Sequence, residues 1–412
     1  EAASVLANEG IPVFLCDRDV PTPVLSFEIL RRGTAGCINF TASHNPPEYN
    51  GVKFSPSWGG PALPETTKEI ERLANAMTSQ DVAGIPSFEK AKGAGLITMI
   101  DPRPDYLKDL ATKVNLDAIG SIGALALNPL YGTARGYLDA PLLERSIPCT
   151  IINDHLDPYF GGEPPEPSEA HIHDFIDVIN ADPAIRLGLA TDGDADRFGI
   201  VDGNGRFIEP NYIIALLLDY LITHRGLTGG VARSVATSHF VDAVAKKHGV
   251  EVFETPVGFK FIGELIAADK IVIGGEESAG LTIKGHVPEK DGIIACLLVA
   301  EMVATTGKSV SELLEKLYSE VGTFITRRDN LRLSEELEAA YPAKVASPPK
   351  ELAGKKVVRI VTIDGVKLIL QDGSWVLFRK SGTEPVVRLY GEAATDEQLT
   401  KLMQAGKAFI LS

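Results

Sequence analysis

Three stretches of the chain repeat one pattern, in which the polar-faced end of a helix passes through a short turn into an apolar run. They are LANEGIPVFL at 6–15, LERSIPCTII at 143–152 and VAKKHGVEVF at 244–253. Gly10 and Gly249 suit the left-handed residue that closes a helix, and the apolar runs after them read as strands. Each copy resembles the second half of a strand–helix–strand unit, so three spaced copies predict three related α/β domains. Between them, 64–77 reads as a helix opened by Pro64, with Ile70, Leu73, Ala74 and Met77 on one face. Residues 157–168, with two glycines and four prolines, predict a rigid connection inside the second domain. Residues 212–223 and 291–305 are apolar nearly all round and read as buried helices, the latter flowing into 310–318. From about Val357 the texture changes: 357–362, 366–370, 375–378 and 386–390 are short β-rich runs parted by turns such as Asp372-Gly373, just after a Pro- and Lys-containing stretch at 343–350. A helix over 395–409 closes this module, which is α+β.

One polar interruption stands out. In TDGDADRFGIVD, residues 191–202, Asp192, Asp194 and Asp196 occupy alternate positions. Alternate side chains on extended backbone share a side, so the three carboxylates converge. Anions that close repel unless a cation sits among them. An all-oxygen set without His or Cys favours a hard divalent ion, Mg²⁺ or Ca²⁺. Apolar runs on both sides place the acids on a loop between two strands. An EF-hand would need Gly and Glu where Arg197 and Gly203 stand. The aspartyl nucleophile loop of haloacid-dehalogenase phosphatases also fits poorly, because Arg197 follows the third acid. Arg197 does suit a phosphate oxygen completing the metal's shell.

Composition narrows the choice of function. The chain has 412 residues, 44% hydrophobic and 23% charged, which predicts two to four ordinary globular domains. Its net charge of −15 argues against nucleic acid as a main partner. An anionic substrate must then be held by locally focused Arg, Lys and backbone N–H groups. Cys16, Cys37, Cys149 and Cys296 lie far apart, which suggests neither zinc nor a disulfide framework and points to a reducing cytoplasm. The longest apolar runs are too short to span a bilayer, so no membrane partner is expected. The chain opens at Glu1 in mid-helix pattern, which predicts an incomplete first domain.

Three further loops carry polar chemistry. TASHNPP at 41–47 turns at Asn45-Pro46 and presents Ser43 at a strand end, outside any G-x-S-x-G setting, with Lys53 shortly downstream. GGEESAG at 274–280 follows an apolar run, and there Glu276 and Ser278 can bind neighbouring hydroxyls of a polyol. FRKSGTEP at 378–385 joins two strands. Arg379, Ser381, Thr383 and the N–H groups around Gly382 form an anion cradle that is not a Walker A loop.

TASHNP, DGDADR, GEESAG and RKSGTEP, in that order and at domain spacing, resemble the four signature loops of the α-D-phosphohexomutases, the phosphoglucomutase/phosphomannomutase superfamily. The resemblance covers essentially the whole chain. It implies four domains around a central cleft: three α/β with mixed sheets (1–100, 101–207, 208–322) and a C-terminal α+β domain (323–412). It also assigns roles. Ser43 would be the phosphoserine, with Asp192, Asp194 and Asp196 as Mg²⁺ ligands and a phosphate oxygen on Ser43 completing the contact. Lys53 would move protons, and His44 and Arg197 would flank the reacting groups. Glu276 and Ser278 would read sugar hydroxyls, with Thr255, Gly258 and Lys260 on a further substrate loop. Arg379, Ser381, Gly382, Thr383 and Arg388 would grip the phosphate that does not react. The family's N-terminal G-T-S-G-x-R-G-type segment has no counterpart here.

The implied activity is interconversion of hexose 1-phosphate and hexose 6-phosphate, glucose first, with a hexose 1,6-bisphosphate as intermediate and activator. A Mg²⁺-dependent phosphatase and a non-catalytic sugar-phosphate-binding homologue are the alternatives. Oligomeric state is not legible.

Overall fold

The computed structural model describes residues 1–78, 87–381 and 386–411. In chain order the strands are β1 (Val13–Cys16), β2 (Gly36–Phe40), β3 (Val52–Pro56), β4 (Ile97–Ile100), β5 (Ala124–Asn128), β6 (Cys149–Ile151), β7 (Ile185–Thr191), β8 (Phe198–Asp202), β9 (Phe207–Ile208), β10 (Gly230–Ser234), β11 (Val252–Thr255), β12 (Ile271–Glu276), β13 (Gly280–Ile283), β14 (Ile325–Arg332), β15 (Glu351–Leu352), β16 (Lys355–Val361), β17 (Val366–Leu370), β18 (Trp375–Lys380) and β19 (Val386–Ala393). The fold is mixed α/β. Two compact bodies form, residues 1–207 with 285–305 and residues 208–284 with 306–412.

The repeat seen in the sequence is a repeat of topology. The sheet of the second domain runs β6-β5-β7-β8-β9, and that of the third runs β11-β10-β12-β13. In both, the first three strands are parallel and the next returns antiparallel. Parallel strands lie covered on both faces, which is why β7 and β12 are apolar almost without alternation. The helix-ending turns use left-handed residues at Gly10 (φ 73°) and Gly249 (φ 67°), and Ser146 (φ 55°) takes that place in the middle copy.

The first domain departs from this order. Parallel β1 and β4 make one two-stranded sheet and antiparallel β2 and β3 another. A cavity of about 250 Å³ lies between them, lined by Leu6, Leu15, Leu25, Ile29 and Ile38. The predicted helix at 64–77 forms as Pro64–Ala76, but it buries nothing, and Ile70, Leu73 and Met77 are exposed.

The helices Pro210–Thr223 and Gly292–Thr306 are buried nearly all round. Among the described residues no single helix is long and apolar enough to cross a bilayer. The last domain is a six-stranded sheet, β14-β19-β18-β17-β16-β15, antiparallel throughout, with the helix Asp396–Leu411 packed on it. β14 (ITRRDNLR) was hidden in the sequence by its charge, and it is held by pairing with β19 over eight residues. The 343–350 stretch starts as the end of a helix, Glu335–Ala346, which tolerates Pro342 inside it, and leaves the helix before Pro348 and Pro349.

Within the second body, the third and fourth domains meet through buried charge. Lys367 on β17 is fully buried, with Nζ 2.8 Å from the Val235 carbonyl, 2.9 Å from His239 Nε2 and 3.7 Å over the Trp375 ring. Glu392 accepts from Ser238 Oγ, the His239 N–H (3.2 Å) and Trp375 Nε1 (2.7 Å), which caps the helix Phe240–His248. Burial, then Arg233, pulls Lys367 down to about 7. The unfolded lysine keeps its ordinary value near 10.4. Between those values the unfolded chain binds a proton that the folded chain does not, so stability rises with pH. Unfolding followed by denaturant at pH 7.5 and 8.5 is therefore expected to show a gain, up to about 1.4 kcal/mol per pH unit, that Lys367→Met loses. Parallel pH dependence in the two proteins would refute it.

Candidate active site

β2 ends at Phe40, and the following turn holds Ser43 in the left-handed region (φ 58°), its N–H bonded to Thr41 Oγ1 (2.8 Å). This conformation is uncommon for a residue other than glycine and is seen at functional turns. It points Ser43 Oγ at Asp192 Oδ2 (3.2 Å), with His44 Nδ1 3.3 Å away.

The aspartate loop bridges β7 and β8, as its apolar flanks predict. Asp192, Asp194 and Asp196 are all buried, and one ligand oxygen from each lies within 4.8 Å of the others. The loop is tight: Ala195 is left-handed, the Arg197 N–H binds Asp192 Oδ1 (2.9 Å), and a Cβ at Gly193 would stand 2.6 Å from the Ser43 carbonyl. The proline-rich loop walls one side, with Pro165 against Gly193, Pro167 against Gly199, and Glu166 3.5 Å from Arg197.

Asp192 has a partner on each oxygen, Ser43 Oγ and the Arg197 N–H, whereas Asp194 and Asp196 each have a protein-facing and a free side. Asp194 Oδ2 accepts from Thr22 Oγ1 (2.8 Å), Thr41 Oγ1 (3.1 Å) and Lys53 Nζ (2.8 Å). Asp196 Oδ2 takes Lys290 Nζ at 2.7 Å and Lys53 Nζ at 3.3 Å. Asp194 Oδ1 and Asp196 Oδ1 are buried without a partner. Orphaned carboxylate oxygens aimed into one space are what a hard cation satisfies, so this donor set fits a divalent metal. Burial, then Asp196 and Asp194, pushes Asp192 well above the usual carboxylate range. Burial would raise Asp196 too, but Lys290, Lys53 and Arg197 outweigh it and hold Asp196 low. Lys53 is the mirror case: burial lowers it, and Asp196 and Asp194 more than restore it. Burial and Arg197 lower His44 to about 4, so its imidazole is neutral at pH 7 beside Ser43.

The other predicted loops lie in the second body. Glu276 is buried at the end of β12, and its Oε1 accepts the Gly258 N–H (2.7 Å), so the 255–260 and 274–280 loops form one feature. Thr255 turns its hydroxyl into the backbone, onto the Pro256 carbonyl at 3.0 Å, and Lys260 Nζ lies 5.2 Å from the Phe261 ring centroid. Ser278 is half-buried. Arg379 Nε binds Asp364 Oδ2 (2.8 Å), which also accepts the Val257 N–H (3.1 Å), tying the end of β18 to the same feature. Arg379 and Arg388 are direct cross-strand partners on β18 and β19. Like charges set opposite each other are unfavourable without an anion to share. Ser381 is buried, its N–H on the Val386 carbonyl, and Gly382 and Thr383 lie outside the described residues.

Residues 1–81, 104–205, 209–321 and 330–406 match, in turn, domains I, II and III and the C-terminal domain of phosphoglucomutase/phosphomannomutase. The chain belongs to the phosphoglucomutase/phosphomannomutase family. It is 34% identical over 390 residues to a phosphoglucomutase/phosphomannomutase of Thermococcus kodakarensis, covering 94% of this chain and 81% of that protein. A phosphoglucomutase of Komagataeibacter xylinus is 32% identical, with 98% and 79% covered. The crystal structure of a Thermus thermophilus protein provisionally assigned as a phosphomannomutase superposes with a TM-score of 0.83 at 32% identity, covering 99% of this chain and 85% of that one. This phosphohexomutase is accordingly an intramolecular phosphotransferase, an isomerase.

Four residues of the metal loop's surroundings escaped sequence reasoning: Thr22, Thr41, Glu289 and Lys290. Burial raises Glu289 to about 7, while Lys290, lowered by burial, is carried back above its usual value by Asp196. For Glu289 and Lys290 the one local signal was HVPEKDG at 286–292, a charged run ending in Asp-Gly directly before an apolar helix.

Proposed function

We propose that this phosphohexomutase interconverts glucose 1-phosphate and glucose 6-phosphate through a phosphoryl group carried on Ser43. The observation that carries the reading is Ser43 Oγ held 3.2 Å from Asp192 in a three-carboxylate loop where Asp194 Oδ1 and Asp196 Oδ1 lack partners. Asp192, Asp194 and Asp196 would hold Mg²⁺, which would polarise the phosphoryl oxygens and neutralise charge as it develops.

Phosphorylated Ser43 transfers its phosphoryl to the free sugar hydroxyl: the P–Oγ bond breaks as the new P–O bond forms, the hydroxyl's proton ends on Ser43 Oγ, and hexose 1,6-bisphosphate forms. After the sugar turns over, Ser43 Oγ takes the other phosphoryl and releases the isomeric monophosphate. Neutral His44, 3.3 Å from Oγ, is placed to accept and return the serine proton. Lys53, Lys290 and Arg197 keep cationic charge around the transferring group. Glu276 and Ser278, with the 255–260 loop, read sugar hydroxyls. Arg379, Arg388 and Ser381 hold the phosphate that does not react, because the two opposed guanidinium groups favour a shared anion.

The test is a coupled isomerase assay with glucose, mannose and glucosamine 1-phosphates, run beside phosphate release. Turnover on glucose 1-phosphate above the others, with little free phosphate, supports the reading. Stoichiometric phosphate release would turn it into the phosphatase alternative, and a different preferred sugar would replace glucose.

A further inference from the structure

We infer that Tyr106, His286 and Asp291 are positioning residues that keep the Lys290 ammonium on Asp196; the inference rests on the aspartate loop being the catalytic metal loop. Asp291 is fully buried and takes four donors. Its Oδ1 accepts the Ile293 and Ile294 N–H groups (2.9 and 3.0 Å), which caps the helix Gly292–Thr306. Its Oδ2 accepts Tyr106 Oη at 2.6 Å and His286 Nε2 at 2.7 Å. Capping alone asks for one oxygen, which Ser or Asn would supply without burying a charge. The second oxygen serves another end: it ties the cap to Tyr106, 185 residues away, and to His286, five residues back on the same loop.

The neighbours of Asp291 show what is being held. Lys290, one residue before, places Nζ 2.7 Å from Asp196 Oδ2. Gly292, one residue after, donates its N–H to the Ala195 carbonyl (3.0 Å), and a Cβ there would lie 2.2 Å from the Arg197 carbonyl. The loop is thus pressed on the metal loop on both sides of Asp291, while Asp291 itself anchors away from it. The anchor is rigid. Tyr106 is fully buried on the helix Arg103–Lys113, edge-on to Phe27 (5.8 Å) and Tyr137 (5.9 Å). Phe27 belongs to the helix Thr22–Arg32, whose first residue binds Asp194. The Tyr106 and His286 bonds add the side-chain anchor at Asp291 to the backbone contacts on either side, and together they aim Lys290 inward.

Tyr106→Phe removes one hydroxyl and keeps the packed ring. It is expected to lower kcat roughly ten- to a hundredfold, as small misplacements at a reacting site do, with KM for the sugar phosphate within about twofold. In a Lys290→Met background the same change should add almost nothing to the loss in kcat. Mn²⁺ titration followed by electron paramagnetic resonance gives a second readout that needs no turnover. Lys290→Met should tighten Mn²⁺ binding by removing a cation from Asp196, Tyr106→Phe should shift it the same way, and the double variant should match Lys290→Met. His286→Gln, whose amide still donates to Asp291, should keep kcat and Mn²⁺ affinity near wild type, whereas His286→Ala should behave like Tyr106→Phe. This pair decides the matter should Tyr106→Phe fail to fold by circular dichroism. Mn²⁺ affinity untouched by Lys290→Met, or Tyr106→Phe effects that multiply in full with those of Lys290→Met, would overturn the inference. A wild-type protein without isomerase activity would refute the proposed function instead, and the Mn²⁺ arm would still decide this one.

Discussion

Alanine at Ser43 is expected to lower isomerase turnover by at least about a thousandfold, the scale of losing a covalent carrier. The backbone should not notice. Ser43 sits at φ 58°, and serine and alanine bear the same Cβ penalty there, so the variant inherits the strain already present. The lost side-chain contacts are the hydrogen bonds to Asp192 at 3.2 Å and His44 Nδ1 at 3.3 Å, each a contribution of about 1 kcal/mol. Sugar-phosphate binding through the second body's loops should survive, because Glu276, Arg379 and Arg388 are built without Ser43. Incubation with a hexose 1,6-bisphosphate followed by intact-protein mass spectrometry should add one phosphoryl group to wild type and none to the variant. A Ser43→Ala protein isomerising at the wild-type rate would end the phosphoserine mechanism.

Chelation of divalent metal is expected to abolish turnover reversibly, and Asp194→Asn to weaken Mg²⁺ binding at least about tenfold with a matching or larger fall in kcat. The isosteric amide fails in either orientation. With its NH₂ on the Oδ2 side, a donor meets the three donors of Thr22, Thr41 and Lys53. With NH₂ on the Oδ1 side, a donor replaces the buried oxygen that has no protein partner and that a cation would take. The fold should persist, since Lys53 is partly exposed and keeps Asp196 at 3.3 Å. Isothermal titration with Mg²⁺, beside rates in EDTA and after Mg²⁺ is restored, checks both parts. Full isomerase activity in metal-stripped protein would remove the metal from the mechanism.

Much of this was legible from residue order alone. The apolar runs before and after the three aspartates put them between β7 and β8, because buried strands need unbroken hydrophobic stretches and their ends do not. The triplet of helix end, turn and strand foretold related domains, because left-handed helix closures and β-branched runs are local preferences. The four loops identified the family because each carries its chemistry in adjacent residues.

Tertiary structure decided what local preference cannot reach. Lys290 lies 94 residues from Asp196, and Thr22 lies 172 residues from Asp194. No spacing rule joins them, and only packing brings a lone lysine or threonine to a carboxylate. Strand β14 was invisible because its polar residues form a strand only when β19 supplies the hydrogen bonds. The stripe on 64–77 foretold the helix Pro64–Ala76 but not its exposure: an apolar face shows that a helix is amphipathic, and whether anything covers it depends on residues elsewhere. Lys367 is the sharpest case, since its charge reads as surface, while its burial depends on Val235 and His239, 132 and 128 residues away, closing over it beside Trp375 of the neighbouring strand. Sequence encodes what neighbours along the backbone dictate, and the cost of burying a charge is set by whichever partners the fold delivers.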